Sequence, residues 1–149
     1  MEYTTQSAEE TQRLGEKIGS SLVSENPDFE GKRIFALSGE LGSGKTTFVQ
    51  GFAKGLGVEG RVNSPTFILM RTYKLNGKRW ESLYHVDLYR LEENIAQELN
   101  NLGISDIWQD ENSIIVIEWA EKAKHLIPKE AVWINFLEGP KSQRKIEII

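Results

Sequence analysis

A short apolar run at residues 33–38 (RIFALS) stands directly before residues 39–46 (GELGSGKT), and a stretch with helical apolar spacing follows directly after. That order, strand then glycine loop then helix, leaves few folds open. The spacing G-x-x-x-x-G-K-[ST] is met by Gly39, Gly44, Lys45 and Thr46. Glycines let a backbone turn its N–H groups inward around phosphate oxygens, where a β-carbon would intrude. The helix that opens near Lys45 directs its positive end at the same anion. The loop therefore predicts a nucleoside triphosphate held with Mg²⁺. Gly42, Ser43, Gly44, Lys45, Thr46 and Thr47 cradle the phosphates, Lys45 reaches the β- and γ-phosphates, and the Thr46 hydroxyl takes a metal position.

A loop of this kind works with an acid at the end of a strand. Two carboxylates qualify. Glu118 ends Ile114-Ile115-Val116-Ile117, the most uniformly apolar run in the chain, whereas Asp87 ends Leu83-Tyr84-His85-Val86, which is less apolar. Strand quality favours Glu118 as the metal ligand. His85 and Asp87 stand two apart on a strand and so share a face. That spacing suits a catalytic or water-positioning pair, and equally a hydrogen-bonded surface pair.

Ser7-x-x-Glu10 is a capping box, and Leu14, Ile18 and Leu22 follow it at helical spacing. Asn26-Pro27 is expected to end that helix. Residues 46–55 continue the glycine loop as a helix. Residues 67–75 and 80–87 read as strands around Asn76-Gly77, the signal of a two-residue hairpin. Residues 92–101 read as a helix stopping at Leu102-Gly103, 113–117 as a buried strand, and 120–125 as a short helix before Pro128. Residues 132–137 and 144–149 close the chain as a hairpin around Gly139-Pro140. Trp80, Trp108 and Trp133 are expected to pack rather than to stack on bases. The alternation predicts one α/β domain over residues 1–149, a P-loop NTPase-like three-layer domain with a mixed, partly parallel β-sheet.

The chain has 149 residues and no cysteine, which excludes a disulfide framework, a thiolate zinc site and cysteine catalysis. Its opening residues carry neither a basic start nor an apolar stretch, and no apolar run approaches the roughly 20 residues of a membrane-spanning helix. A cytoplasmic protein is expected. The net charge is −4 and the pI about 5.3. Tight direct binding of nucleic acid normally shows a basic face, so a protein partner is easier to accommodate than tRNA.

No Asn/Thr-Lys-x-Asp element is present to read guanine, which favours ATP. The His-Arg-Asp and Asp-Phe-Gly elements of protein kinases are also missing. A small-molecule kinase stays open, although the arginine-bearing lid usual in such enzymes has only Arg144 in the last third of the chain. The remaining motifs narrow the choice. The chain resembles the TsaE-type ATPases of bacterial threonylcarbamoyladenosine (t⁶A) tRNA modification. The resemblance lies in 39–47 (GELGSGKTT), Gly51 with Gly55-Leu56-Gly57, 63–67 (NSPTF), 84–90 (YHVDLYR), Glu98-Leu99 with Leu102-Gly103, and Ile117-Glu118-Trp119. These stand in the family's order across nearly the whole chain. Asn63 departs from a position where a basic residue is common, and Val86 stands between His85 and Asp87 where an aromatic is usual.

The resemblance implies roles. Thr46 and Glu118 would bind Mg²⁺, and Thr66, in a switch-like loop at 64–67, would sense the γ-phosphate. Asp87 would position water or metal, so that Lys45, Thr66 and Asp87 form the catalytic set. Trp119 and Glu121 would line the nucleotide edge, while Thr11 and Arg144 would close around base and ribose. It further implies weak intrinsic ATP hydrolysis, partnership with the TsaD–TsaB complex, and contact with tRNA only through that complex, away from any membrane. A nucleotide-gated binding module without useful turnover is the remaining alternative.

Overall fold

The computed structural model describes residues 1–25, 28–77, 79–141 and 143–149. Its elements run β1 (Glu2–Thr5), α1 (Ala8–Leu22), β2 (Ile34–Gly39) and α2 (Lys45–Gly55), then the antiparallel pair β3 (Met70–Lys74) and β4 (Ser82–Asp87). Two short helices follow, α3 (Ile95–Asn101) and α4 (Ile104–Gln109). After β5 (Ser113–Glu118) comes a 3₁₀ segment, Ala120–Leu126, and the chain ends with β6 (Val132–Glu138) and β7 (Arg144–Ile148).

Among the described residues these strands make one seven-stranded sheet in the order β1-β7-β6-β2-β5-β4-β3. β2 runs parallel to both β5 and β6, and β4 parallel to β5, while the remaining pairs are antiparallel. Side chains alternate between the two faces of a strand. Phe35, Leu37, Leu83, Ile114 and Val116 pack with α1 and α2 on one face. Ile34, Ala36, Val86, Ile115 and Ile117 pack with α3, α4 and the 3₁₀ segment on the other. The result is the expected three-layer α/β arrangement. Buried on both faces, β5 reads as an unbroken apolar run. The same alternation decides where the polar strand ends point: His85 and Asp87 are in phase with Leu83, and Glu118 with Val116, so all three face the α2 side.

α1 begins as the capping box predicts, with Ser7 Oγ accepting from Glu10 N at 3.2 Å. The return bond reaches one residue further back, from Gln6 N to Glu10 Oε2 at 3.2 Å. The helix ends at Leu22, and the Asn26-Pro27 stop lies outside the described residues. α1 and α2 touch backbone to backbone. A Cβ placed on Gly15 would lie 2.2 Å from Phe48 O, on Gly19 2.2 Å from Phe52 O, and on Gly55 2.2 Å from Glu16 O. Each helix carries its glycines four residues apart, which puts them on one stripe.

Several boundaries differ from the sequence reading. The first strand of the β3–β4 pair starts at Met70 rather than 67, because Pro65 O accepts from Ile68 N at 3.1 Å and Leu69 N at 2.6 Å, and Leu69 (φ 71°) turns the chain. The last described bond of the pair runs from Leu75 N to Glu81 O, so Asn76-Gly77 does not by itself join the two strands. The helix expected at 92–101 begins at Ile95, after Asn94 at φ 55°, and a separate α4 follows Gly103. β1 has no counterpart in the sequence reading. Trp80 is buried and donates its indole N–H to Leu22 O at 3.0 Å, and Trp108 and Trp133 pack against the α3–α4 side. Among the described residues no helix is long and apolar enough to cross a membrane.

Candidate functional site

Between β2 and α2 the chain passes through Gly39 (φ 149°), Gly42 (φ 78°) and Gly44 (φ 104°), conformations that side chains other than glycine rarely take. Gly39 also has no room for one, since a Cβ there would lie 2.8 Å from Phe136 O. Gly44 is the N-cap of α2 and offers no capping side chain. The first-turn amides of α2 therefore face the cleft without a side-chain acceptor, the arrangement that receives an anion.

Lys45 folds back onto this loop. Its ammonium donates to Gly39 O, to Glu40 O at 2.9 Å and to Ser43 Oγ at 3.3 Å, and lies 4.0 Å from the centre of the Trp119 ring. Burial holds its pKa below the ordinary lysine value, and the charges of Glu121, Glu118, Asp87 and Glu40 offset this only in part. Trp119 sits at φ 58° where β5 gives way to the 3₁₀ segment, and its ring lies against that of Tyr89.

The two acids stand level, Asp87 opposite Glu118 in the parallel register of β4 and β5. Glu118 is buried, and its two oxygens have different partners. Thr46 Oγ1 lies 2.7 Å from Oε1, and His85 Nε2 2.6 Å from Oε2. Asp87 faces the 64–66 loop. Its Oδ2 accepts from Ser64 Oγ at 2.8 Å and Thr66 Oγ1 at 2.9 Å, and its Oδ1 from Tyr89 N at 2.9 Å. The cleft between these groups has a volume of about 390 Å³ and is bordered by the glycine loop, Thr46, Thr66, Asp87 and Glu118. Phe67, 87% exposed, stands at its rim.

The structure thus gathers Gly42, Ser43, Gly44, Lys45, Thr46, Thr47, Thr66, Asp87 and Glu118 around one cleft. Thr11 and Arg144 border an adjoining hollow of about 220 Å³, together with Gly42, Gly44 and Thr47. Thr11 is buried with its hydroxyl 2.7 Å from that of Thr5, and Arg144 donates to Gly42 O at 3.1 Å. Glu121 is not among the residues lining the cleft; its Oε2 accepts from Gly39 N at 3.1 Å, so it braces the loop at its first residue. The His85–Asp87 pairing left open by the sequence is not formed. His85 turns to Glu118 and Asp87 to the 64–66 loop, a choice made by the β4–β5 register. Ser64, already part of the 63–67 (NSPTF) motif in the sequence, shares Thr66's role of tethering that loop to Asp87.

A hydroxyl and a carboxylate are hard oxygen donors of the kind Mg²⁺ takes, with phosphate and water supplying its other positions. Among the described residues no three His, Asp or Glu side chains converge to cage a metal by themselves. Thr46 and Glu118 therefore fit a metal that arrives with a phosphate.

The sequence profile of a known family, described as threonylcarbamoyl adenosine biosynthesis protein TsaE, matches residues 5–146. The chain belongs to the TsaE family. It is 37% identical over 138 residues to the tRNA threonylcarbamoyladenosine biosynthesis protein TsaE of Haemophilus influenzae, covering 92% of this chain and 81% of that protein. It is also 37% identical over 145 residues to the TsaE protein of a Nostoc species, covering 94% and 80%. With the TsaE protein of Treponema pallidum it shares 32% identity over 148 residues, 99% of each chain. Among solved structures, Bacillus subtilis YdiB superposes with a TM-score of 0.72 at 27% identity, covering 98% of this chain and 82% of that one. The YdiB likeness agrees with the mixed, partly parallel sheet described above.

Proposed function

We propose that this protein binds ATP with Mg²⁺ in the cleft of the 39–46 loop and hydrolyses it slowly. We place it in the cytoplasm, as the nucleotide-driven member of the machinery that makes N⁶-threonylcarbamoyladenosine at position 37 of tRNA, acting on a TsaD–TsaB complex. The observation that carries the nucleotide half is the Thr46–Glu118 contact, 2.7 Å long, at the uncapped end of α2 with Lys45 beside it. The pathway half is supported by relatives whose names specify tRNA threonylcarbamoyladenosine biosynthesis.

On this reading Lys45 exchanges the carbonyls of Gly39 and Glu40 for β- and γ-phosphate oxygens. Thr46 and Glu118 would hold Mg²⁺, which when bound neutralises charge on those oxygens. Asp87 orients the attacking water, and through Ser64 and Thr66 it couples the loop at 64–67 to the γ-phosphate. The water oxygen bonds to the γ-phosphorus as the bond to the β–γ bridging oxygen breaks, giving ADP and inorganic phosphate. Thr11 and Arg144 serve the nucleoside side, and Glu121 keeps Gly39 in place. ATP is preferred to GTP because the chain lacks a guanine-reading element. A net charge of −4 favours a protein partner over direct tRNA contact.

The test is phosphate release from ATP with and without TsaD–TsaB. Slow release accelerated by the complex is expected. A phosphorylated small molecule formed faster than free phosphate would sink the proposal in favour of a kinase.

A further inference from the structure

We propose that His85 is a positioning residue that limits Glu118 to one metal-facing oxygen and so makes the site favour Mg²⁺ over Ca²⁺. This rests on the reading above that Thr46 and Glu118 hold the metal. His85 is completely buried, its Nε2 is 2.6 Å from Glu118 Oε2, and among the described residues its Nδ1 has no hydrogen-bond partner. The orphaned nitrogen decides the tautomer. A proton on Nδ1 would leave a buried N–H without an acceptor and set a bare Nε2 lone pair against a carboxylate oxygen. The proton therefore sits on Nε2, and His85 donates to Oε2.

The two carboxylate oxygens are thus divided between core and cleft. Oε2 is committed to a ring locked in the sheet, and Oε1 alone meets Thr46 Oγ1, at 2.7 Å. Ca²⁺ takes carboxylates through one or two oxygens in flexible shells at about 2.3–2.6 Å, whereas Mg²⁺ demands a near-octahedral shell at about 2.0–2.1 Å. A carboxylate able to offer one fixed oxygen suits the smaller ion and withholds from the larger its chelating mode. Without the His85 donor, Glu118 could rotate to present both oxygens, and discrimination would fall.

The experiment measures calorimetrically the affinity of the full chain for the imido analogue of ATP at saturating Mg²⁺, at saturating Ca²⁺ and in EDTA. The enhancement over EDTA is the readout for each metal. Wild type is expected to show a larger enhancement with Mg²⁺. In His85→Met the Mg²⁺ enhancement should drop about 10- to 100-fold, the usual effect of removing a partner of a metal ligand. The Ca²⁺ enhancement should drop less, and affinity in EDTA should stay the same. His85→Gln carries an amide at about the reach of the ring Nε2 and should restore the Mg²⁺ preference. His85→Asn is as polar but too short and should not. If His85→Met does not fold, the Gln and Asn pair decides the question.

An unchanged Mg²⁺ to Ca²⁺ ratio in His85→Met and His85→Asn overturns the inference, as does an equal loss under all three conditions, which marks a merely structural role. Glu118→Gln separates this from the underlying reading. Loss of the Mg²⁺ enhancement there, beside unaffected His85 variants, leaves the metal site standing and removes only His85. An enhancement untouched by Glu118→Gln overturns both.

Discussion

Gly51 of α2 lies so close to Gln12 of α1 that a Cβ at position 51 would stand 1.9 Å from the Gln12 carbonyl oxygen. Intrinsic helix propensity alone would make Gly51→Ala stabilising by about 0.8–1.0 kcal/mol. The backbone contact reverses the sign. A methyl there forces the helices apart, and overpacking of this kind costs about 1–3 kcal/mol. Urea unfolding of Gly51→Ala should show a lower midpoint with an unchanged slope; a higher midpoint would refute the contact.

Lys45 should leave a signature in pH dependence. Its folded pKa lies below the ordinary lysine value because burial penalises the charge. Between the folded and ordinary values the unfolded chain binds more protons, so the Lys45 contribution makes stability rise with pH in that window. Lys45→Met should lack this rise when both proteins are melted across the alkaline range without nucleotide. In ATP titrations at neutral pH, Lys45→Ala should bind roughly 10- to 150-fold more weakly, the loss of a charged hydrogen bond worth about 1.5–3 kcal/mol. Equal affinities would refute the loop assignment.

The two level acids should fail differently. Glu118→Gln should weaken Mg²⁺-dependent binding of ATP. Asp87→Asn should spare metal affinity but lower the hydrolysis rate about 10²-fold or more, as removal of a water-positioning group does. It should also speed hydrogen exchange at residues 66–69, since the tether to Ser64 and Thr66 is weakened. Metal loss in Asp87→Asn alone would show the roles to be exchanged.

Gly103 isolates a backbone effect. It sits at φ 78° between α3 and α4, and a Cβ there would meet nothing within 4 Å. Gly103→Ala should therefore cost only the left-handed penalty, about 1–2 kcal/mol. Thermal or urea unfolding checks it; a neutral result would place the α3–α4 break elsewhere.

The loop and both acids were legible in the sequence because each rests on local pattern: glycine spacing, and a carboxylate closing an apolar run. The partners of His85 were not. They follow from pairing β4 with β5, which lie about 30 residues apart in the chain, and no local period carries that register. β1 escaped notice because Glu2-Tyr3-Thr4-Thr5 has little apolar alternation and is a strand through its ladder with β7. The glycines at 15, 19, 51 and 55 were visible as residues, but their meaning needed α1 set against α2. Glu121, expected along the nucleotide edge, follows the left-handed turn at Trp119, which redirects it to Gly39.

The level register of Asp87 and Glu118 has a mechanical consequence. Both acids hang from strand ends whose depth is set by Leu83, Val86, Ile114 and Val116, all completely buried, and a slip of one residue would turn every side chain to the opposite face. The floor of the cleft is therefore a fixed datum. Entry and exit of a ligand would fall to the rim, where Leu41 and Phe67 stand exposed, and where the Ser64 and Thr66 hydroxyls, beside the buried Pro65, hold the 64–66 segment to Asp87.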